Sequence, residues 1–335
     1  MTAAAMPPRF PRLSAAWRGW PGTVIRLALV ALAMWSLLRR IDLTAVITSS
    51  THVGSRALLL AYAAQLASVL TASVRWRVLM GAYGVARADR PSVAYLFRTN
   101  LLAVFFSLLP IPAAAELVRA RRTRMCWENP LTPYLLIGVE RITGLFGLLV
   151  ITAVATVTSP TLQTGAVATT LAMGVALAVG MGALVFFAPR WLESRPKIRD
   201  RLARVPVFGP PLAGLPAPTS ATRLAVAVSL SALSQYFIVL SAAALFAPID
   251  AHATLLTCSR IMPAVVLAMF ITITPGGVGQ RELVFVEFFR SVGVEPAHAF
   301  AVAVLFFAIG VGIAAIGALV WLGEKLLGAK QPSLV

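Results

Sequence analysis

Acidic side chains are scarce in this chain. Only 12 Asp and Glu stand against 29 Lys and Arg in 335 residues, a formal net charge of +17. Lysine is almost missing as well, occurring only at Lys197, Lys325 and Lys330. Charge of either sign totals 12% of residues. That is about half of what soluble domains carry. The two cysteines, Cys126 and Cys258, lie far apart with no CxxC spacing. This argues against a disulfide framework and against a thiolate zinc site. The three histidines, His52, His252 and His298, form no HExxH or comparable ligand set. There is no DxD cluster and no nucleotide-binding loop, so no cofactor and no soluble catalytic domain are expected.

What fills the chain is apolar residue, 59% of it, with a mean hydropathy of +0.85. The excess falls in blocks of roughly 20 residues, the length that crosses a hydrocarbon core. Eight blocks are read: Gly22 to Leu38, Ala57 to Val74, Leu96 to Pro112, Tyr134 to Val157, Gly165 to Ala188, Leu224 to Phe246, Leu255 to Thr274 and Ala299 to Leu322. An amphipathic stretch, Leu283 to Val292, separates the last two. In lipid every backbone N–H and C=O must be bonded within the protein, so spans are helices or closed barrels. These runs are too long and too uniformly apolar for alternating barrel strands. The expected fold is all-α, a polytopic helical bundle of about six to eight spans. Gly144 and Gly147, or Gly310, Gly312 and Gly317, are small residues that could bring helices close, or simply reflect the glycine content of membrane helices.

The cations sit in short loops between the apolar blocks, the placement of juxtamembrane charge facing anionic headgroups rather than of a nucleic-acid surface. An arginine-rich codon bias accounts for the magnitude of the charge as readily as function does, but not for its placement. Cytoplasmic loops are enriched in Lys and Arg. The N-terminal arm, with Arg9, Arg12 and Arg18, therefore starts inside. It stands ahead of a retained first span rather than a cleaved signal. The loops after the second and third blocks both hold several arginines and both belong inside. They agree only if the third block enters from the cytoplasm, breaks at Pro110 and Pro112, and returns. Arg39, Arg40 and Arg56 run against this scheme. The resulting organisation is a cytoplasmic basic arm at 1–21, a first membrane half at 22–188 with a hairpin near 96–116, and a cytoplasmic, basic, proline-rich connector at 189–223. A second half at 224–325 follows, with a hairpin near 255–296, and then a tail at 326–335. Six spans plus two re-entrant hairpins is the preferred count, and eight full spans the alternative. Both termini are expected in the cytoplasm of a bacterial inner-membrane protein.

Two segments share a design. One reads Leu109-Pro110-Ile111-Pro112-Ala113-Ala114-Ala115-Glu116-Leu117-Val118-Arg119, the other Thr274-Pro275-Gly276-Gly277-Val278-Gly279-Gln280-Arg281-Glu282. Each places proline and small residues before a glutamate, with an arginine close by. Proline breaks a helix and glycine permits the turn. Broken helices in two halves, forming an inverted pseudo-repeat, point to a transporter's binding site, although each segment alone could be a solvated surface loop. Charges within apolar blocks are expensive and usually paired or functional. Glu140 and Arg141, about two turns into the fourth block, are such charges, with Glu140 expected to pair with an arginine from a hairpin, unless the span starts later and both residues are interfacial. Arg260 lies early in the seventh block. Arg75-Trp76-Arg77 reads first as an interfacial anchor and second as a headgroup-phosphate contact.

These residues together resemble the lysylphosphatidylglycerol synthase transmembrane (flippase-like) family. Its PGGxGxxE signature stands here as Pro275-Gly276-Gly277-Val278-Gly279-Gln280-Arg281-Glu282. Weaker marks follow in the right order: Arg75-Trp76-Arg77-Val78-Leu79, Glu116-Leu117-Val118-Arg119, and Glu140-Arg141 with Gly144. One departure is Ala115, where the family pattern has glycine before the first acidic residue. The resemblance covers nearly the whole chain and implies a module that moves or presents charged or glycosylated lipids. In the synthases it is fused to a soluble aminoacyl-transfer domain. Only about a dozen residues follow the eighth block here, so this chain is not expected to make lysylphosphatidylglycerol itself.

The expected function is that of a lipid flippase-like transporter. Its headgroup site would comprise Glu116, Arg119, Glu140, Arg141, Pro275, Gly276, Gly277, Gly279, Arg281 and Glu282. The backbone N–H groups of Gly276, Gly277 and Gly279, with Arg281 and Arg119, would contact an anion. Glu116 and Glu282 would pair with the arginines or relay protons. The expected partners are membrane lipids of anionic, polyprenyl or hopanoid type, with a lipid-synthesis enzyme or glycosyltransferase as a protein partner and no nucleic acid. A membrane-embedded transferase acting on a lipid-linked sugar, or a non-transporting scaffold for a synthesis enzyme, are the alternatives.

Overall fold

The structure, a computed structural model, describes residues 43–108, 113–127, 131–158, 165–203, 217–270 and 277–326. The first apolar block, the N-terminal arm and the turn residues Pro110, Pro112, Pro275 and Gly276 lie outside the described residues.

Among the described residues the chain forms twelve α-helices and no strand. They are α1 (Leu43–His52), α2 (Ser55–Ala82), α3 (Val93–Ser107), α4 (Ala114–Thr123), α5 (Thr132–Thr158) and α6 (Gly165–Phe186). Then come α7 (Ala188–Glu193), α8 (Pro196–Ala203), α9 (Ala221–Phe246), α10 (Leu255–Ala268), α11 (Gln280–Arg290) and α12 (Pro296–Leu326). Their starts follow local chemistry. Ser92, Ser220 and Thr254 accept from the backbone N–H groups of Tyr95, Arg223 and Thr257. These bonds satisfy donors that the first turn leaves free. Pro296 opens α12, where a missing N–H costs nothing.

Four helices, α2, α5, α9 and α12, are long and apolar enough to cross a membrane. The helices α3 and α10 are apolar too, but only 15 and 14 residues long. Both fall short of the roughly 20 residues that a helix needs to cross a hydrocarbon core. Leu59, Val154, Met173, Val179 and Leu319 are among many large apolar side chains left exposed. Exposure on this scale suits lipid rather than water. The protein is a multi-pass helical membrane bundle.

The centre of the bundle is the pair α2 and α9, one from each side of the 189–223 connector. Their contacts descend one helix while ascending the other. Thr219 and Arg223 meet the carbonyls of Ala82 and Gly81, then Arg75 meets Ser231, Ser68 meets Ser234, and Gln65 meets Ser241. The two helices are thus antiparallel and joined by small hydroxyl and amide side chains, which hydrogen-bond across membrane helices where water cannot compete. On α3, Asn100 donates to Ser73 of α2 in the same way.

Two of the candidate glycines permit close approach. A Cβ on Gly147 of α5 would lie 2.6 Å from the Ser231 backbone of α9, and one on Gly317 of α12 would strike the Leu101 carbonyl of α3. Gly310 has open space around it and serves no such contact. The connector is more structured than a loop reading implies. It contains α7 and α8, and Arg190 donates to the Pro218 carbonyl, folding its ends together.

Candidate functional site

Glu140 lies inside α5, and only 5% of it is exposed. A lone carboxylate there would be prohibitively costly, and it is not alone. Its Oε1 accepts from Arg75 Nη2 of α2 at 2.5 Å, and its Oε2 pairs with Arg119 Nη2 of α4. Arg75 Nη1 also donates to Ser231 Oγ of α9 at 3.0 Å. The carboxylate thereby ties three helices together, and Arg75 extends the link to α9. The hairpin arginine expected to pair with Glu140 is Arg119, after the first interruption. Arg119 also stacks over the Trp76 ring, 4.1 Å from its centroid. That is a cation–π contact, and it steadies the guanidinium.

This corrects the anchor reading of Arg75-Trp76-Arg77. The helix does not end there but runs on to Ala82, and Trp76 is fully buried while Arg75 is nearly so. Arg75 belongs with the candidate site, and spacing alone did not assign it. The available signal was an arginine that a longer α2 would carry inside its apolar run.

The interrupted segments differ in detail. Before α4, Ala113 takes a left-handed conformation with φ 58°. That is unusual for a residue with a Cβ. Ala115 is already helical, so the glycine of the family pattern is not required at that position. On α4, Glu116 pairs with Arg141 of α5, and both are partly open, with side-chain exposures of 30% and 51%. Before α11, Gly277 and Gly279 have φ of 72° and 80°. Glycine adopts such values without strain. Glu282 is buried. Its Oε2 accepts from the Gly279 N–H at 2.5 Å, and its Oε1 accepts from Arg281 Nη2 at 3.2 Å. The Gly279 N–H, expected to face an anion, is therefore already used to close the start of its own helix. Gln280 Nε2 donates to the Ala268 carbonyl at 3.2 Å, fastening the end of α10 to the start of α11.

Arg75, Arg119, Glu140, Arg141 and Arg281 all line one cavity of about 490 Å³. Gly144 also lines it, and a Cβ there would sit 3.9 Å from Arg75 Nη1. The rest of the wall is mostly apolar, including Leu145, Leu148, Ile238, Val265 and Phe285. Of the residues singled out from sequence, Arg119, Glu140, Arg141 and Arg281 meet here. Glu116 and Glu282 stand behind the lining, each holding one of its arginines. Gly277 and Gly279 shape the turn into α11. Pro275 and Gly276 lie outside the described residues, and Arg260 is not in the lining. No group of three or more His, Cys, Asp or Glu that could hold a metal occurs among the described residues.

Chemically, the arrangement is a set of guanidinium groups in an apolar enclosure, the combination that holds an anionic group attached to a hydrophobic body. The family model described as the lysylphosphatidylglycerol synthase TM region matches residues 23–317. No curated protein and no solved structure matches the chain.

Proposed function

The chain belongs to the lysylphosphatidylglycerol synthase transmembrane family, and from that premise we propose that it moves a lipid with an anionic or glycosylated headgroup between the two leaflets of a bacterial inner membrane. The observation that carries this reading is the meeting of Arg119 and Arg281, each from the helix after an interruption, in one cavity with Arg75 and Arg141. Interruptions in opposite halves that converge on a single chamber are the architecture by which transporters present polar groups to a guest without exposing them to lipid. In this reading the headgroup rests against the arginines and the acyl chains follow the apolar wall. The α3–α4 and α10–α11 pairs act as re-entrant hairpins, since α3 and α10 are too short to cross alone. The basic connector and both termini face the cytoplasm, as the excess of arginine implies.

The test is translocation in proteoliposomes, read as the fraction of headgroup-labelled lipid exposed to a membrane-impermeant quencher over time. Wild-type protein is expected to speed exchange well above protein-free vesicles. Arg281→Ala is expected to slow it by at least about tenfold, the cost of roughly one lost charge-assisted hydrogen bond. Equal rates for the two proteins would refute the assignment.

A further inference from the structure

Resting on the lipid-headgroup reading of this cavity, we infer that it admits phosphate headgroups without an amine and rejects those that carry one. The lining holds four arginines and a single carboxylate, Glu140. Both Glu140 oxygens are engaged, one by Arg75 and the other by Arg119. An ammonium group entering the chamber needs acceptors. It would find a carboxylate already occupied, cations on several sides and the Gln235 amide as a neutral acceptor, and like charges partly withdrawn from water repel. The other carboxylates nearby are committed as well. Glu282 closes the start of α11 and holds Arg281, and Glu116 holds Arg141. The carbonyl end of a helix is a natural resting place for a cation. At the end of α10 the Ala268 carbonyl is taken by the Gln280 amide.

Donors, by contrast, are in surplus. Four guanidinium groups, those of Arg75, Arg119, Arg141 and Arg281, line the cavity against the one carboxylate of Glu140. Phosphate oxygens suit a guanidinium fork, which can donate two parallel hydrogen bonds. Arg141 is the adaptable member. It is half exposed and held by Glu116. It can turn to an arriving phosphate at small cost, since exposed ion pairs contribute little. The apolar remainder of the wall fits an acyl chain rather than a free soluble anion. The name of the family refers to a lysyl-bearing lipid; the cavity of this chain is charged against such a headgroup.

The experiment uses the full chain in phosphatidylcholine vesicles. Binding and translocation are measured for phosphatidylglycerol, phosphatidylethanolamine and lysylphosphatidylglycerol carrying the same acyl label, with inorganic phosphate and glycerol phosphate as soluble competitors. Phosphatidylglycerol should be preferred at least about tenfold over both amine-bearing lipids. The soluble phosphates should compete only weakly. A paired exchange, Glu116→Arg with Arg141→Glu, keeps the exposed ion pair while putting an acceptor into the lining, and should cut that preference severalfold. Equal or better handling of lysylphosphatidylglycerol, with phosphatidylglycerol also handled, would overturn the selectivity while leaving lipid movement intact. Inorganic phosphate binding as tightly as phosphatidylglycerol would also overturn it, by making the ligand a soluble anion. No interaction with any lipid would overturn both this inference and the function on which it rests.

Discussion

The two interrupted segments read alike in sequence, yet they are wired differently. After the second, Glu282 turns back on its own helix, accepting from Gly279 and Arg281 within a few residues. After the first, Glu116 and Arg119 reach away to α5, to Arg141 and Glu140. The second is a cradle closed largely within α11 and fastened to α10 by Gln280, and the first is a strut between helices. Their outer anchors differ as well. The end of α4 is tied to α12 by Arg122 and Glu324 at 2.5 Å. The segment after α11 is tied to the α9–α10 loop by Asp250, which accepts from the Glu295 N–H at 3.3 Å and lies 2.9 Å from His298 Nδ1. A repeated motif can thus supply the same product, one arginine in the chamber, through one local and one long-range arrangement. The local version holds its arginine mainly through its own helix, with the Phe307 ring of α12 stacked 4.3 Å from it. The long-range version makes its arginine sensitive to how α4 and α5 sit together.

The largest effect is expected at the centre of the strut. Glu140→Ala would leave Arg75 and Arg119 buried and unpaired, and loss of one partner of a buried ion pair costs about 3–5 kcal/mol. Thermal unfolding, followed in a Cys126→Ser background by a thiol-reactive dye that reports exposure of the buried Cys258, should move to much lower temperature. A smaller effect follows at the cradle. Gly279→Ala forces a Cβ into a positive-φ conformation. The expected loss is about 1–2 kcal/mol. Ala113→Gly relieves that conformation before α4 and should act in the opposite direction. If both changes destabilise equally in the same assay, the two turns are not the contrasting pair described. Glu116→Gln should change unfolding by less than about 1 kcal/mol, because exposed ion pairs contribute little. It should nonetheless alter lipid exchange by freeing Arg141. The smallest effect concerns the outer anchor. Burial would raise the Asp250 carboxyl, but hydrogen bonds from His298 and from the His252 and Glu295 N–H groups hold it below the ordinary carboxylate range. A depressed value contributes stability above that ordinary range and loses it as pH falls through the lowered value. Wild type should therefore lose more thermal stability than Asp250→Asn on strong acidification, and parallel curves would remove the anchor.

Much of the helical architecture was legible because lipid imposes it. Apolar runs of spanning length can only be helices. The helices α2, α5, α9 and α12 stand where those runs lie. The role of Glu140 was legible for the same reason, since an acid inside such a run must have a partner. What could not be read was where each polar side chain turns. Arg75 follows an apolar run that ends at Val74 and so reads as interfacial, but the helix continues to Ala82 and carries it into the bundle. The Gly279 N–H looked available because a sequence does not reveal that Glu282, three residues on, bends back to take it. The polar ladder between α2 and α9 was also silent, since Ser68, Ser231 and Ser234 look ordinary until two helices are placed antiparallel.

The central claim is that the arginines beyond the two interruptions hold one and the same headgroup. A double-mutant cycle on Arg119 and Arg281, each changed to lysine to retain charge and solubility, tests it through labelled phosphatidylglycerol binding to the purified full chain in vesicles. Shared contact predicts strong non-additivity, the double variant losing clearly less than the product of the two single losses. Single losses that simply multiply would mean that the two arginines serve separate ligands, and the account would be wrong.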